Sequence, residues 1–194
     1  MENLRNKFLR LLSQHHYEYR RYLYDQINWN DRLIIIKGQR GVGKTTLLLQ
    51  HIQNEFEYLS KTLYISLDDI YFSNNKLSEL VEQFVLNGGK NLFIDEIHRY
   101  PDWSVELKNI YDFYPELRII ATGSSAIAIE EGKADLSRRA SVYHLHTLSF
   151  REYIAMYHNI ELDKLKLKEI IINHEHKAIE INRKIKPVEL FNQY

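Results

Sequence analysis

The sequence predicts an α/β fold, a three-layer sandwich in which a five-stranded parallel sheet has helices on both faces, with a helical segment after it. Three observations predict this. Short apolar runs rich in β-branched residues alternate with stretches of helical periodicity, so parallel strands must be joined by crossovers. Leu33-Ile34-Ile35-Ile36 is apolar at every position, as a strand buried on both faces must be. After Ser149 the alternation stops, and the chain turns helical and charged.

From Glu2 to Ile27, Leu4, Phe8, Leu11, His15, Tyr19 and Tyr22 recur at intervals of three and four, which predicts one helix, packed on the core within residues 1–30. A polar break at Asn28–Asp31 opens the sheet domain, residues 31–148. Leu33–Ile36 is its first strand, followed by a glycine-rich turn and a helix over Thr45–Phe56. Thr62–Leu67 reads as a strand, and Leu77–Leu86 as a helix that stops at Gly88-Gly89. Asn91–Asp95 is a strand, Trp103–Phe113 a helix, and Arg118–Ala121 and Ser141–Leu145 are the last two strands. Within residues 149–194, Ser149 and Glu152 have capping-box spacing. Leu167, Ile170, Ile171, His174, Ala178, Ile181 and Ile185 then form a stripe that must bury itself against something. This region leads toward a lid or a further C-terminal domain.

Twenty-six Lys and Arg balance 26 Asp and Glu, so the net charge is zero, and the basic excess of a nucleic-acid binder is missing. The chain has no cysteine, which excludes disulfides, thiolate metal sites and cysteine nucleophiles and fits a reducing cytoplasm. No apolar run approaches the roughly 20 residues a bilayer span needs, and the N-terminus does not read as a signal peptide. A cytoplasmic protein with no membrane partner is the expectation.

Gly38-Gln39-Arg40-Gly41-Val42-Gly43-Lys44-Thr45 matches G-x-x-x-x-G-K-[ST] in full. Its glycines let the backbone curl so that successive N–H groups face a phosphate. Lys44 can reach the β- and γ-phosphates, the Thr45 hydroxyl can ligate Mg²⁺, and Thr46 is placed to approach the α-phosphate. The helix that starts here adds positive partial charge at its N-terminus. The glycine spacing does not suit a dinucleotide-binding fingerprint, which would also leave the lysine unexplained. A P-loop NTPase sandwich is the specific expectation, with a nucleoside triphosphate and Mg²⁺ as its ligands.

The Asn91–Asp95 strand ends in two carboxylates. Ligands of parallel sheets sit at the carboxyl ends of strands. Asp95 is therefore expected beside Thr45 on the Mg²⁺ side, and Glu96 as the group that accepts a proton from, or orients, the attacking water. An acid adjacent to the metal-side aspartate favours ATP hydrolysis over a Ras-type GTPase.

Together GQRGVGKTTLL (Gly38–Leu48), LFIDEIHRYPDW (Leu92–Trp103), IIATGSSA (Ile119–Ala126) and LSRRASVYHLHTLSFREY (Leu136–Tyr153) resemble the AAA-type P-loop ATPases. They are most similar to a prokaryotic group in which this domain precedes a C-terminal domain of unknown function. The resemblance implies a polar sensor of the γ-phosphate just after the fourth strand. Thr122, Ser124 and Ser125 are candidates, with Ser124 favoured. It also implies an arginine, Arg139, that reaches a neighbouring subunit's nucleotide, and hence a homo-oligomer. Here the sequence departs from the group, with Arg138 where glycine is usual. The group's members also run well beyond 194 residues, and no second sensor arginine can be placed, although Arg183 is available.

The leading expectation is an ATP-hydrolysing switch or motor with an unknown protein client. The alternatives are a nucleotide-dependent regulatory module with little turnover and a small-molecule P-loop kinase. His144 and His146 face one side of a strand with no third metal ligand in view. Arg20-Arg21 and Lys164–Lys168 read as solvated faces, which leaves nucleic-acid contact unsupported.

Overall fold

The computed structural model describes every residue except 15–17, 58, 126–135 and 137. It divides into two compact units, Met1–Thr147 and Leu148–Tyr194.

In the first unit, five strands form one parallel sheet in the order β2-β3-β4-β1-β5: β1 (Leu33–Gly38), β2 (Thr62–Ser66), β3 (Asn91–Asp95), β4 (Arg118–Ser124) and β5 (Ser141–Leu145). The helices are α1 (Glu2–Gln14), α2 (Lys44–Glu55), α3 (Leu77–Leu86) and α4 (Trp103–Phe113). Alternate side chains of each strand feed two separate cores. Leu33, Ile35, Leu63, Ile65, Leu92 and Ile94 pack with Leu80, Val81 and Phe84 of α3 and Leu107 and Ile110 of α4. Ile34, Ile36, Tyr64, Phe93 and Ile120 face the other way, onto Leu47, Leu48, Leu49 and Ile52 of α2. The three layers follow from the period-two side-chain alternation of strands that are apolar on both faces.

The expected N-terminal helix is too long. It ends at Gln14, and a short 3-10 turn at Tyr24–Gln26 follows (His15 lies outside the described residues). The later stripe residues Tyr19 and Tyr22 are half-buried outside any helix, and residues beyond the stripe fill the core in their place. Tyr24 and Ile27 enter the α2-side core, and the Gln50 side-chain amide donates to the Tyr19 carbonyl at 2.6 Å. Leu4 packs into one core and Phe8 into the other, so α1 lies along β2, at the edge of the sheet.

Strand β4 is three residues longer than expected. Thr122, Gly123 and Ser124 stay extended because they pair with Ile36, Lys37 and Gly38.

The second unit holds α5 (Phe150–His158), α6 (Leu167–Lys184) and α7 (Pro187–Phe191). Ser149 caps α5 in a complete capping box: its hydroxyl accepts from the Glu152 N–H, and the Glu152 carboxylate accepts from the Ser149 N–H. Phe150, Tyr153, Phe191 and Tyr194 form an aromatic cluster. The expected apolar stripe of α6 is largely open. Leu167, Ile170 and Ile171 are exposed, only Ile185 just past its end is buried, and Asn173 interrupts the helix with φ −125°. Among the described residues no helix is long and apolar enough to cross a membrane.

Candidate functional site

Strand β1 delivers the glycine-rich loop, and α2 begins immediately after it at Lys44. Gly41 and Gly43 have φ of 81° and 96°, in the left-handed region where a side chain is strained. The close approach at Gly38 has a different cause. A Cβ there would lie 2.5 Å from the Leu145 carbonyl oxygen of β5. Gln39, Arg40 and Gly41 are exposed, Val42 packs partly against the α2-side core, and Thr46 sits half-buried in the first turn of α2. Lys44 is only 5% exposed. Its ammonium donates to the carbonyls of Gly38 (3.1 Å) and Gln39 (3.0 Å), so the charge is held within the loop by groups that a ligand can replace.

Although β1 and β3 are not neighbours, β4 between them brings their ends together. The Thr45 hydroxyl donates to Asp95 Oδ2 at 2.6 Å, across 50 residues of sequence. Asp95 is 3% exposed and accepts two further hydroxyl donors, Tyr64 at 2.9 Å and Thr122. Burial first, and the Asp95 carboxylate next, push the Tyr64 phenol far above its ordinary pKa, so it stays a donor. A hydroxyl and a carboxylate at this spacing are the hard oxygen donors that suit Mg²⁺, with the open cleft leaving room for water.

Glu96 adopts the left-handed conformation, with φ 54° and ψ 43°, which costs a non-glycine residue about 1–2 kcal/mol. The turn points its carboxylate into the cleft, 4.0 Å from Lys44 Nζ and 3.3 Å from His98 Nε2. His98 Nδ1 in turn accepts from the Ser124 N–H at 3.3 Å, which assigns the ring proton to Nε2, facing Glu96. Arg40, Lys44, Thr45, Ser66, Asp68, Asp95, Glu96, His98, Arg99 and Ser124 together line a cleft of about 280 Å³. The loop and the acidic strand end thus line one cleft.

Residues 30–154 match the model of the AAA domain. The chain belongs to this family. As an AAA domain it has a nucleotide-binding site of ATPase type. A relative from Methanocaldococcus jannaschii, the uncharacterized protein MJ1637, is 34% identical over a 182-residue alignment that covers 84% of this chain. The chain spans 38% of that relative's length. Among solved structures, C. elegans PCH-2 is similar at 21% identity over 75% of this chain and 42% of its own, with a TM-score of 0.43. AMPPCP-bound DnaA from Aquifex aeolicus is similar at 16% identity over 88% and 57%, with a TM-score of 0.42. The replication initiator DnaA bound to AMPPCP and single-stranded DNA gives 18%, 94%, 66% and 0.47.

Not every expected residue meets in the cleft of this AAA domain. Of the three sensor candidates, Thr122 is fully buried and spends its hydroxyl on Asp95, while Ser124 lines the cleft. Arg139 lies elsewhere. It precedes β5, whose first residue pairs with Ile34 near the start of β1, whereas the loop follows the end of β1. There its guanidinium grips Asp112 of α4 through two hydrogen bonds, at 2.8 and 3.1 Å. Arg138 carries no assigned role. His144 and His146 have their rings 4.2 Å apart, and no group of three or more metal-ligating side chains occurs among the described residues.

Sequence reasoning missed Tyr64, His98, Asp68 and Arg99. A signal existed for Tyr64, a phenol interrupting the otherwise apolar run Leu63–Ile65 and, in register with Phe93, lying on the same face of the sheet as Asp95. His98 and Arg99 stand inside the motif already quoted for the family, next to the acidic pair.

Proposed function

We propose that this AAA domain binds ATP with Mg²⁺ in the cleft and hydrolyses it, the cycle serving as a switch or motor. The observation that supports this reading best is the Thr45–Asp95 hydrogen bond of 2.6 Å, which brings the phosphate loop and the acidic strand end into one site. The backbone amides of Gly38 to Thr46 would cradle the phosphates, with Gln39, Arg40, Val42 and the loop glycines supplying the curl. Lys44 exchanges its carbonyl partners for β- and γ-phosphate oxygens. Thr45 and Asp95 are the residues that would hold Mg²⁺, whose charge, when bound, offsets that developing on the γ-phosphoryl.

Glu96 takes a proton from the water whose oxygen attacks the γ-phosphorus. The bond from that phosphorus to the bridging oxygen breaks, and ADP leaves with the electron pair. His98 orients Glu96, and Ser124, whose N–H holds His98, stands where the γ-phosphate can be sensed. That chain of contacts ties the state of the γ-phosphate to the aim of the base.

Glu96→Gln keeps the side-chain shape and removes the proton acceptor. Steady-state phosphate release should fall about 100-fold or more while ATP affinity is retained. Equally slow release from both proteins would favour a regulatory module with little turnover. Transfer of phosphate to an acceptor would favour a kinase.

A further inference from the structure

Arg21 stands outside every motif, in a stretch whose charge reads as a solvated helix face. It is instead half-buried and gripped by backbone. One arm of its guanidinium donates to the Val42 carbonyl at 2.7 Å. The other donates to the carbonyls of His146 at 3.0 Å and Thr147 at 3.3 Å, just past β5. A single side chain therefore joins the N-terminal segment, the phosphate loop and the exit of the edge strand.

The contact with Val42 bears on the loop's chemistry. No peptide bond in the described chain is cis, so the Val42 carbonyl and the Gly43 N–H lie on one plane and point in opposite directions. Holding that carbonyl toward Arg21 turns the Gly43 N–H away from it. With glycine at position 43 and φ at 96°, nothing in the residue itself stops this plane from turning over. The restraint has to come from outside, and Arg21 supplies it.

We propose that Arg21 is a positioning residue of the phosphate loop, fixing the Val42–Gly43 peptide so that the Gly43 N–H is presented to bound polyphosphate. The proposal rests on the reading of the loop as the nucleotide site. A planar fork is needed because carbonyls on two segments, Val42 on one and His146 and Thr147 on the other, are held at once. An ammonium is a point charge and cannot span them in the same geometry.

The test compares wild type, Arg21→Ala and Arg21→Lys, the last retaining the charge and the aliphatic stem. Affinity for Mg-AMPPCP is measured by titration calorimetry, and hydrogen exchange at Gly43 is followed without nucleotide. Both variants should bind about tenfold or more weakly, equivalent to about 1.4 kcal/mol, with faster exchange at Gly43. Binding by Arg21→Lys within about twofold of wild type would overturn the proposal, as would unchanged exchange at Gly43. Should Arg21→Ala fail to fold, Arg21→Lys decides alone. A wild-type protein that binds no nucleotide sinks the phosphate-loop reading itself, and exchange at Gly43 then judges Arg21 separately.

Discussion

Asp95 has three hydroxyl donors on it, from Thr45, Tyr64 and Thr122, and almost no exposure to water. A buried carboxylate needs such partners, because an unpaired one would shed its charge. Only Thr45 of the three also lines the cleft, so the other two can remain on Asp95 whatever enters. A second buried polar group obeys the opposite logic. His51 on α2 is 2% exposed, stacked on Trp29 at 3.7 Å, with Tyr24 Oη 3.1 Å from its Nδ1. Burial, and then the charges of Arg118 and Arg20, lower its pKa from 6.5 to about 4. The unfolded chain binds a proton here at a higher pH than the folded one does. Stability from this residue is therefore complete above about pH 7 and falls as pH drops toward 4, by about 3 kcal/mol. Urea unfolding at pH 7, 5.5 and 4 should show that slope. His51→Phe, which keeps a ring beside Trp29, should lose its share of it. Parallel pH profiles for the two proteins would refute the assignment.

At the scale of elements, the strands and the helices α2, α3 and α4 were legible, and the N-terminal segment and the end of β4 were not. Leu33–Ile36 announced itself because every residue faces a core, and all four are at most 1% exposed. Helical periodicity at the N-terminus was real as far as Gln14, and beyond it no longer tracked the backbone. Tyr24 and Ile27 needed only to reach the α2-side core, and Tyr19 and Arg21 are bound through main chain and guanidinium in ways no stripe encodes. Within the site, Lys44, Thr45, Asp95 and Glu96 were legible because a linear motif spells them out. Tyr64 and Thr122 were not, because their meeting with Asp95 depends on strand order, which places β3 between β2 and β4. Strand pairing also sets the demand on Gly38. In Gly38→Ala the new methyl would meet the Leu145 carbonyl oxygen at 2.5 Å and Val42 Cγ2 at 3.0 Å. Parting β1 from β5 should cost roughly 1–3 kcal/mol and weaken nucleotide binding together with it. Thermal denaturation with and without Mg-ATP measures both, and an unchanged melting temperature would show that the backbone yields.

At the scale of the whole molecule, the arginine implied by the family resemblance lies outside the chain's own cleft. Arg139 is committed to Asp112 at the end of the sheet away from the phosphate loop, and that pairing holds the Asp112 carboxyl below its ordinary range. Any action on a nucleotide would be on a neighbour's, after this exposed pair opens at little cost. Hydrolysis per subunit should then rise with protein concentration in wild type and stay flat in Arg139→Ala. A flat wild-type profile removes the trans role and leaves Arg139 as a brace for α4. The N-terminal helix has its own consequence for association. A sheet with a bare outer strand presents unsatisfied amides and carbonyls to any other chain in solution. Because α1 reaches into both layers with Leu4 and Phe8, it stands as a wall along that flank. Strand-by-strand fibre growth has no foothold at β2 while the wall is in place, so fraying of the first fourteen residues would register as turbidity before any loss of nucleotide contacts.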